Sequence, residues 1–179
     1  MQIMNNKYIA LGHQSRVGKD TFVNYTIAWC ARRGIECHII RIADKLYKIT
    51  SHIQETLGMQ VQKDPALLQL IGTDLRNHYG ESVWINESVR KINDVIHINP
   101  NAVIIVVDMR LRNEMELLRA IGFTTVKILR PEREVDRDPN HASETELANV
   151  PFDYVINNSN TLENYLGAID ALLDKLIQL

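Results

Sequence analysis

Strands and helices alternate along this chain in a way that predicts an α/β fold, with a parallel sheet covered on both faces. Three observations carry the prediction. The strand signals at 8–11, 37–42, 103–107, 125–129 and 154–156 are short, near-continuous apolar runs, the pattern of strands buried on both sides. Segments of helical period separate them, at 19–32, 45–57, 65–78, 83–95, 113–121 and 162–176. The first strand enters its helix through a loop bounded by Gly12 and Gly18, as a strand–turn–helix unit requires.

The elements succeed one another without a linker, an internal repeat or a low-complexity tract. Residues 1–179 therefore read as one domain, large enough for a real core. Strand 8–11 opens the sheet, Gly18 gives way to helix 19–32, and Cys37 begins the second strand. Residues 43–102, the longest gap between strands, read as a helical insertion. Within it Gly72 sits mid-helix, at a cost of about 1 kcal/mol against Ala, and suits a break or a close ligand approach. Trp84 reads as core packing. The run Val103-Ile104-Ile105-Val106-Val107 is a strand, and helix 113–121 and strand 125–129 follow. A second insertion, 131–151, carries many charges and prolines, and in it Ser143 with Glu146 resembles a capping box. Strand 154–156 leads to a last helix whose Leu162, Leu166, Ile169, Leu172, Leu173 and Leu176 recur at helical spacing and read as core or dimer contact.

Composition excludes several classes. The chain is 45% hydrophobic with a net charge of −2, so it reads as globular, without a general electrostatic footprint for nucleic acid. No apolar run reaches membrane-spanning length and no signal segment opens the chain, so no membrane partner is expected. Two cysteines, Cys30 and Cys37, do not make a disulfide framework, which points to a reducing cytoplasm. The six histidines are scattered and no Cys/His spacing fits zinc.

Ligands of such sheets bind beyond the carboxyl ends of the strands, so the residues just after each strand form the candidate site. The loop after the first strand reads as a phosphate cradle. Backbone N–H groups of His13, Ser15, Arg16, Val17 and Gly18 and the positive end of the first helix would face a polyphosphate, and Lys19 would add a point charge. Thr21, or Asp20 through a water, would help hold Mg²⁺. The pattern departs from Gly, four residues, Gly-Lys-Ser/Thr: five residues separate Gly12 from Gly18, and Asp20 takes the Ser/Thr position. His13 stands where a loop of standard length has its first glycine, and His tolerates positive φ better than most residues. After the second strand come Asp44 and Lys45. After the third, Asp108 suits a second magnesium-organising carboxylate or a helix cap, and Arg110 suits a fork onto a phosphate or an ion pair with Glu114. After the fourth, Arg130, Arg133 and Arg137 suit a lid closing over triphosphate, or a solvated charged loop. Asn157 and Asn158 follow the last strand. Gln69, Asp74 and Arg76 in the first insertion suit a base, a sugar hydroxyl and a phosphate, or a surface helix.

One sheet edge thus gathers a lysine, arginines and aspartates, the equipment for moving a phosphoryl group. Taken in order, several pieces resemble the phage-type deoxynucleoside monophosphate kinases of the nucleoside monophosphate kinase group. These are Gly18-Lys19-Asp20-Thr21, Leu70 through Leu75, Trp84, Asp108-Met109-Arg110 with Asn113-Glu114, Leu129-Arg130-Pro131, His141-Ala142-Ser143-Glu144, and Asp153 through Asn158. The resemblance implies a three-layer P-loop NTPase fold with strand order 2-3-1-4-5, a helical acceptor-binding insertion and a short lid. It implies ATP and Mg²⁺, transfer of the γ-phosphate to a deoxynucleoside 5′-monophosphate, a homodimer, and the host cytoplasm if the chain is phage-encoded. In that reading Lys19 and the loop hold ATP and Arg110 and Arg76 hold the acceptor. Arg133 and Arg137 act from the lid, and Arg130, Asn157 and Asn158 belong to the ATP side. Asp44, Lys45, Gln69, Thr73, Asp74, His141 and Glu144 complete the acceptor side. Two other readings of the same residues stay open: a kinase for another small phosphorylated metabolite, and a protein that holds nucleotide without transferring phosphate.

Overall fold

In the computed structural model, which describes residues 7–132 and 138–178, five strands form one sheet in which every pair is parallel. The strands are β1 (Tyr8–Gly12), β2 (Cys37–Arg41), β3 (Val103–Met109), β4 (Thr124–Leu129) and β5 (Tyr154–Asn157). Their order across the sheet is β2-β3-β1-β4-β5, the expected 2-3-1-4-5. The helices are α1 (Lys19–Ala31), α2 (Asp44–Thr56), α3 (Pro65–Tyr79), α4 (Ile85–Ile98), α5 (Arg112–Ala120), α6 (Ala142–Thr145) and α7 (Leu162–Leu176).

The apolar strands bury both faces, as continuous runs require. Ile9, Leu11, Ile105, Val107 and Val126 meet Phe22, Trp29, Ile169 and Leu173 of α1 and α7 in one layer. Ala10, Ile40, Ile104 and Val106 meet Ile85, Ile92, Met115 and Leu118 of α4 and α5 in the other. Residues 43–102 are therefore not wholly an appendage: α4 is a core layer, and the excursion proper is the α2–α3 pair. Gly72 does not break α3, which runs through it. A Cβ there would come within 3.1 Å of Leu46 Cδ2, so glycine permits the close packing of α2 on α3.

β3 runs two residues beyond the expected 103–107 and carries a bulge at its end. The β1–β3 register shifts between Ala10 and Gly12, pairing Gly12 with Met109, and Asp108 takes a positive φ of 69°. The last helix departs from its expected stripe at one end: Leu162 is 62% exposed, while Tyr165 is buried. In the second insertion, α6 is capped by His141, whose Nδ1 accepts from the Ser143 backbone N–H at 3.1 Å, and not by Ser143 as the sequence spacing suggests. Leu147, which follows α6, is fully buried, so this part of the insertion is anchored in the core. Arg133 and Arg137 lie outside the described residues.

Candidate active site

The loop between β1 and α1 is shaped by neighbours on both sides. Gly12 ends β1 where a Cβ would come within 2.9 Å of both Met109 and Phe152, so close packing requires glycine there. The positive φ expected at His13 occurs further on, at Arg16 (54°) and Gly18 (106°). From the other side, Asn158 Nδ2 donates to the Val17 carbonyl at 2.8 Å and the Tyr165 hydroxyl donates to the Gly18 carbonyl at 3.0 Å. Ser15 and Val17 are buried, whereas Arg16 is exposed.

Lys19 begins α1 and is buried, its ammonium donating to the Gln14 carbonyl. Burial, reinforced by Arg110, draws its pKa down to about 7 against the pull of Asp108, Glu144 and Asp20. His13 is 2% exposed, and its Nδ1 has no hydrogen-bond partner among the described residues. Burial, then Lys127, hold its pKa down at about 4, with Arg110 and Lys19 adding and Glu144 opposing.

Two carboxylates meet at the mouth of the loop. The bulge at Asp108 and the first turn of α1 at Asp20 bring them to one guanidinium: Arg41 lies 3.1 Å from Asp20 and 3.9 Å from Asp108. They converge on a single cation, and together with the Thr21 hydroxyl they are hard oxygen donors of the kind that suits Mg²⁺ beside phosphate. Among the described residues no cluster of three or more His, Cys, Asp or Glu forms an all-protein metal cage.

Arg110 follows β3 and is held at both ends. Its backbone N–H donates to Glu114 at 2.7 Å, as does that of Leu111 at 3.1 Å. Its guanidinium pairs with Glu144 and donates to the Ser143 carbonyl at 3.3 Å. The alternative of an ion pair between the Arg110 and Glu114 side chains thus gives way to a pair with Glu144. Complete burial pushes the Glu114 carboxyl up to about 7, with the two backbone bonds, Arg76 and Arg110 opposing.

Two cavities open around this centre. The first, about 410 Å³, lies between α3 and the ends of β2 and β3. Leu46, Tyr47, Leu68 and Trp84 give it apolar walls; Gln69, Thr73, Arg76 and Asn77 form a polar row along α3, and Asp108 and Arg110 also line it. Trp84 is core and wall at once, its indole donating to the Gly72 carbonyl at 3.0 Å. His141 also lines this cavity and reaches α3, its Nε2 2.9 Å from Thr73 Oγ1. The second cavity, about 460 Å³, is lined by Gly18, Thr21, Arg130, Asn158, Leu162 and Tyr165. Lys19 follows Gly18 of the second cavity in the chain, and its charge is influenced by Asp108 and Arg110 of the first.

Some expected residues are elsewhere. Asp44 pairs with Lys91 at 3.6 Å and Lys45 with Glu87 at 3.3 Å, ties between α2 and α4, and neither lines either of these two cavities. Asp74 is exposed on α3 outside the first cavity, and Asn157 is exposed outside the second. Glu144 is buried and lines neither. Three contributors escape a reading of the sequence. Arg41 is a charge ending an otherwise apolar strand, Tyr165 hides inside the leucine stripe of α7, and Tyr47 is one turn past the expected Asp44.

A family model described as deoxynucleotide monophosphate kinase matches residues 32–169. It begins after the phosphate loop, so the geometry of that loop is independent of the match. A curated protein of Acanthamoeba polyphaga mimivirus named "Putative deoxynucleotide monophosphate kinase" is 28% identical over 122 residues, covering 63% of this chain. The aligned stretch spans 62% of that relative's length. Among the described residues no helix is long and apolar enough to cross a membrane.

Proposed function

This chain belongs to the deoxynucleotide monophosphate kinase family, and we propose that it transfers the γ-phosphate of ATP to a deoxynucleoside 5′-monophosphate. What supports this is that Asp108 and Arg110 line one cavity, while Gly18 and Thr21, the neighbours of Lys19 in the chain, line the other.

ATP takes the second cavity. Its phosphates lie against the loop N–H groups and the N-terminus of α1, where amides and the helix dipole favour anions. Its base side is bounded by Arg130 and Leu162. The acceptor takes the first cavity. Its base lies between the apolar walls of α2 and Trp84, the polar row of α3 reads its edge and sugar, and Arg76 and Arg110 hold its phosphate. Asp20, Thr21 and Asp108 would hold Mg²⁺, which when bound neutralises charge on the donor phosphate oxygens.

An oxygen of the acceptor phosphate attacks the γ-phosphorus. The bond to the β–γ bridging oxygen breaks, and ADP leaves with its electron pair. The acceptor is already an anion, so no general base is required. Lys19 and Arg110 offset the charge on the transferring group, in a buried setting where such charges act strongly. Burial holds Lys19 poised near pH 7, and an arriving polyphosphate favours its charged form. The test is ADP release from ATP and Mg²⁺ with each deoxy- and ribonucleoside monophosphate offered separately. Release with a subset of deoxynucleotides supports the reading, and release independent of any monophosphate contradicts it.

A further inference from the structure

Glu144 lines neither cavity, yet it is an enclosed charge in contact with residues of both the phosphate loop and Arg110. Its side chain is 1% exposed. One carboxylate oxygen accepts from the Ser15 backbone N–H at 3.3 Å and lies 3.5 Å from the Ser15 hydroxyl. The other pairs with Nη1 of Arg110. The short helix that carries Glu144 is itself fixed. His141 caps it and reaches Thr73 on α3 at 2.9 Å, and Leu147 behind it is fully buried.

One carboxylate therefore bridges the donor loop and the acceptor arginine. We propose that Glu144 is a positioning residue that fixes the Arg110 guanidinium relative to the phosphate loop, and so sets the separation of the donor and acceptor phosphates. The charge matters as well as the shape. Lys19 and Arg110 are both cations with little water around them, and Glu144 is the anion facing both, beside Asp108. Without it Arg110 has reason to swing out toward solvent, because a buried charge stripped of its partner is costly. Among the described residues the protein partners of the guanidinium, Glu144 and the Ser143 carbonyl, both lie on Nη1, and the acceptor phosphate would take its other edge. The same geometry has a rival reading: the carboxylate occupies donors meant for phosphate and must withdraw before ATP binds. The two readings differ in sign.

The inference rests on the kinase reading above, and a double-mutant cycle separates the two. Glu144→Gln keeps an oxygen for the Ser15 N–H and removes the charge. In this variant kcat/KM for the acceptor falls roughly 10- to 100-fold, the scale of a misplaced catalytic group. The KM for ATP changes by less than about threefold, which loss of a merely structural contact with the loop would not spare. In the Arg110→Ala background the same substitution has little further effect, because Glu144 acts through Arg110. Glu144→Asp, which keeps the charge, recovers part of the loss. Additive effects of the two substitutions, or an unchanged acceptor kcat/KM, overturn the proposal while a turning-over wild type leaves the kinase reading intact. Faster turnover or tighter ATP binding by Glu144→Gln overturns it in favour of the withdrawing plug. Absence of monophosphate-dependent turnover in the wild type refutes the kinase reading itself. Should Glu144→Gln lose its thermal unfolding transition, Glu144→Asp carries the cycle, with the same non-additivity expected and additivity refuting it.

Discussion

Gly18→Ala tests how the phosphate loop is held. Gly18 caps α1 with φ at 106°, where an L side chain costs roughly 1–2 kcal/mol. A Cβ there would stand 2.5 Å from Asn158 Nδ2 and 3.2 Å from the Tyr165 ring. Asn158 cannot yield freely, since its backbone N–H donates to Leu129 at 2.7 Å and its side chain to Val17 at 2.8 Å. Displacing that side chain forfeits a further hydrogen bond of about 1 kcal/mol. The expected total is about 2–3 kcal/mol, read as a shift in urea midpoint at constant slope. The KM for ATP should rise alongside, because the amides of the loop move with it. The steric share is separable: in an Asn158→Ala background Gly18→Ala should cost only the backbone share, about 1–2 kcal/mol. A cost below about 0.5 kcal/mol, or strict additivity with Asn158→Ala, would refute this account of the loop.

Three further outcomes are expected. Lys19→Ala should lower kcat by roughly 10²–10³ with the unfolding transition retained, and near-normal turnover would remove Lys19 from the chemistry. Arg76→Ala should raise the acceptor KM at least about tenfold and leave the ATP KM unchanged; equal effects on both would refute a role for Arg76 in holding the acceptor. Among the groups that make stability respond to pH, two act in opposed directions. His13 titrates at about 4 in the fold against 6.5 unfolded, so its contribution is present above pH 6.5 and is lost as pH falls toward 4. Glu114 titrates at about 7 against 4.5, so its contribution is present below pH 4.5 and is lost as pH rises toward 7. His13→Asn should therefore gain on the wild type toward acid pH, and Glu114→Gln should gain toward neutral pH. Urea titrations between pH 4.5 and 8 check both, and parallel curves for all three proteins would refute the linkage.

The parts of this molecule legible in the sequence are those written in local pattern. Apolar, β-branched runs such as Val103–Val107 match strands buried on both faces, and Gly18-Lys19 after an apolar strand matches the opening of a helix at the sheet edge. Parallel connection then forces Asp108 and Arg110 to that same edge. Contacts made by chain folding back were not legible. Asp44 and Lys45 follow a strand just as Asp108 does, yet α2 turns their charges toward α4. Tyr165 and Leu162 share one stripe, but the helix starts beyond the core, so one supports the loop and the other borders a cavity. His13 is spared positive φ because the loop takes its turn at Arg16 and Gly18. Arg41 gave no signal, since a lone charge at a strand end acquires meaning only when a bulge in the neighbouring strand brings Asp108 beside it.

The most direct measurement is the fate of the γ-phosphorus. ATP labelled at that position, incubated with Mg²⁺, the protein and a deoxynucleoside monophosphate, should place the label in the β position of the deoxynucleoside diphosphate, and do so only when the monophosphate is present. Label recovered as inorganic phosphate, or retained in ATP while nucleotide is bound, would contradict transfer between the two cavities.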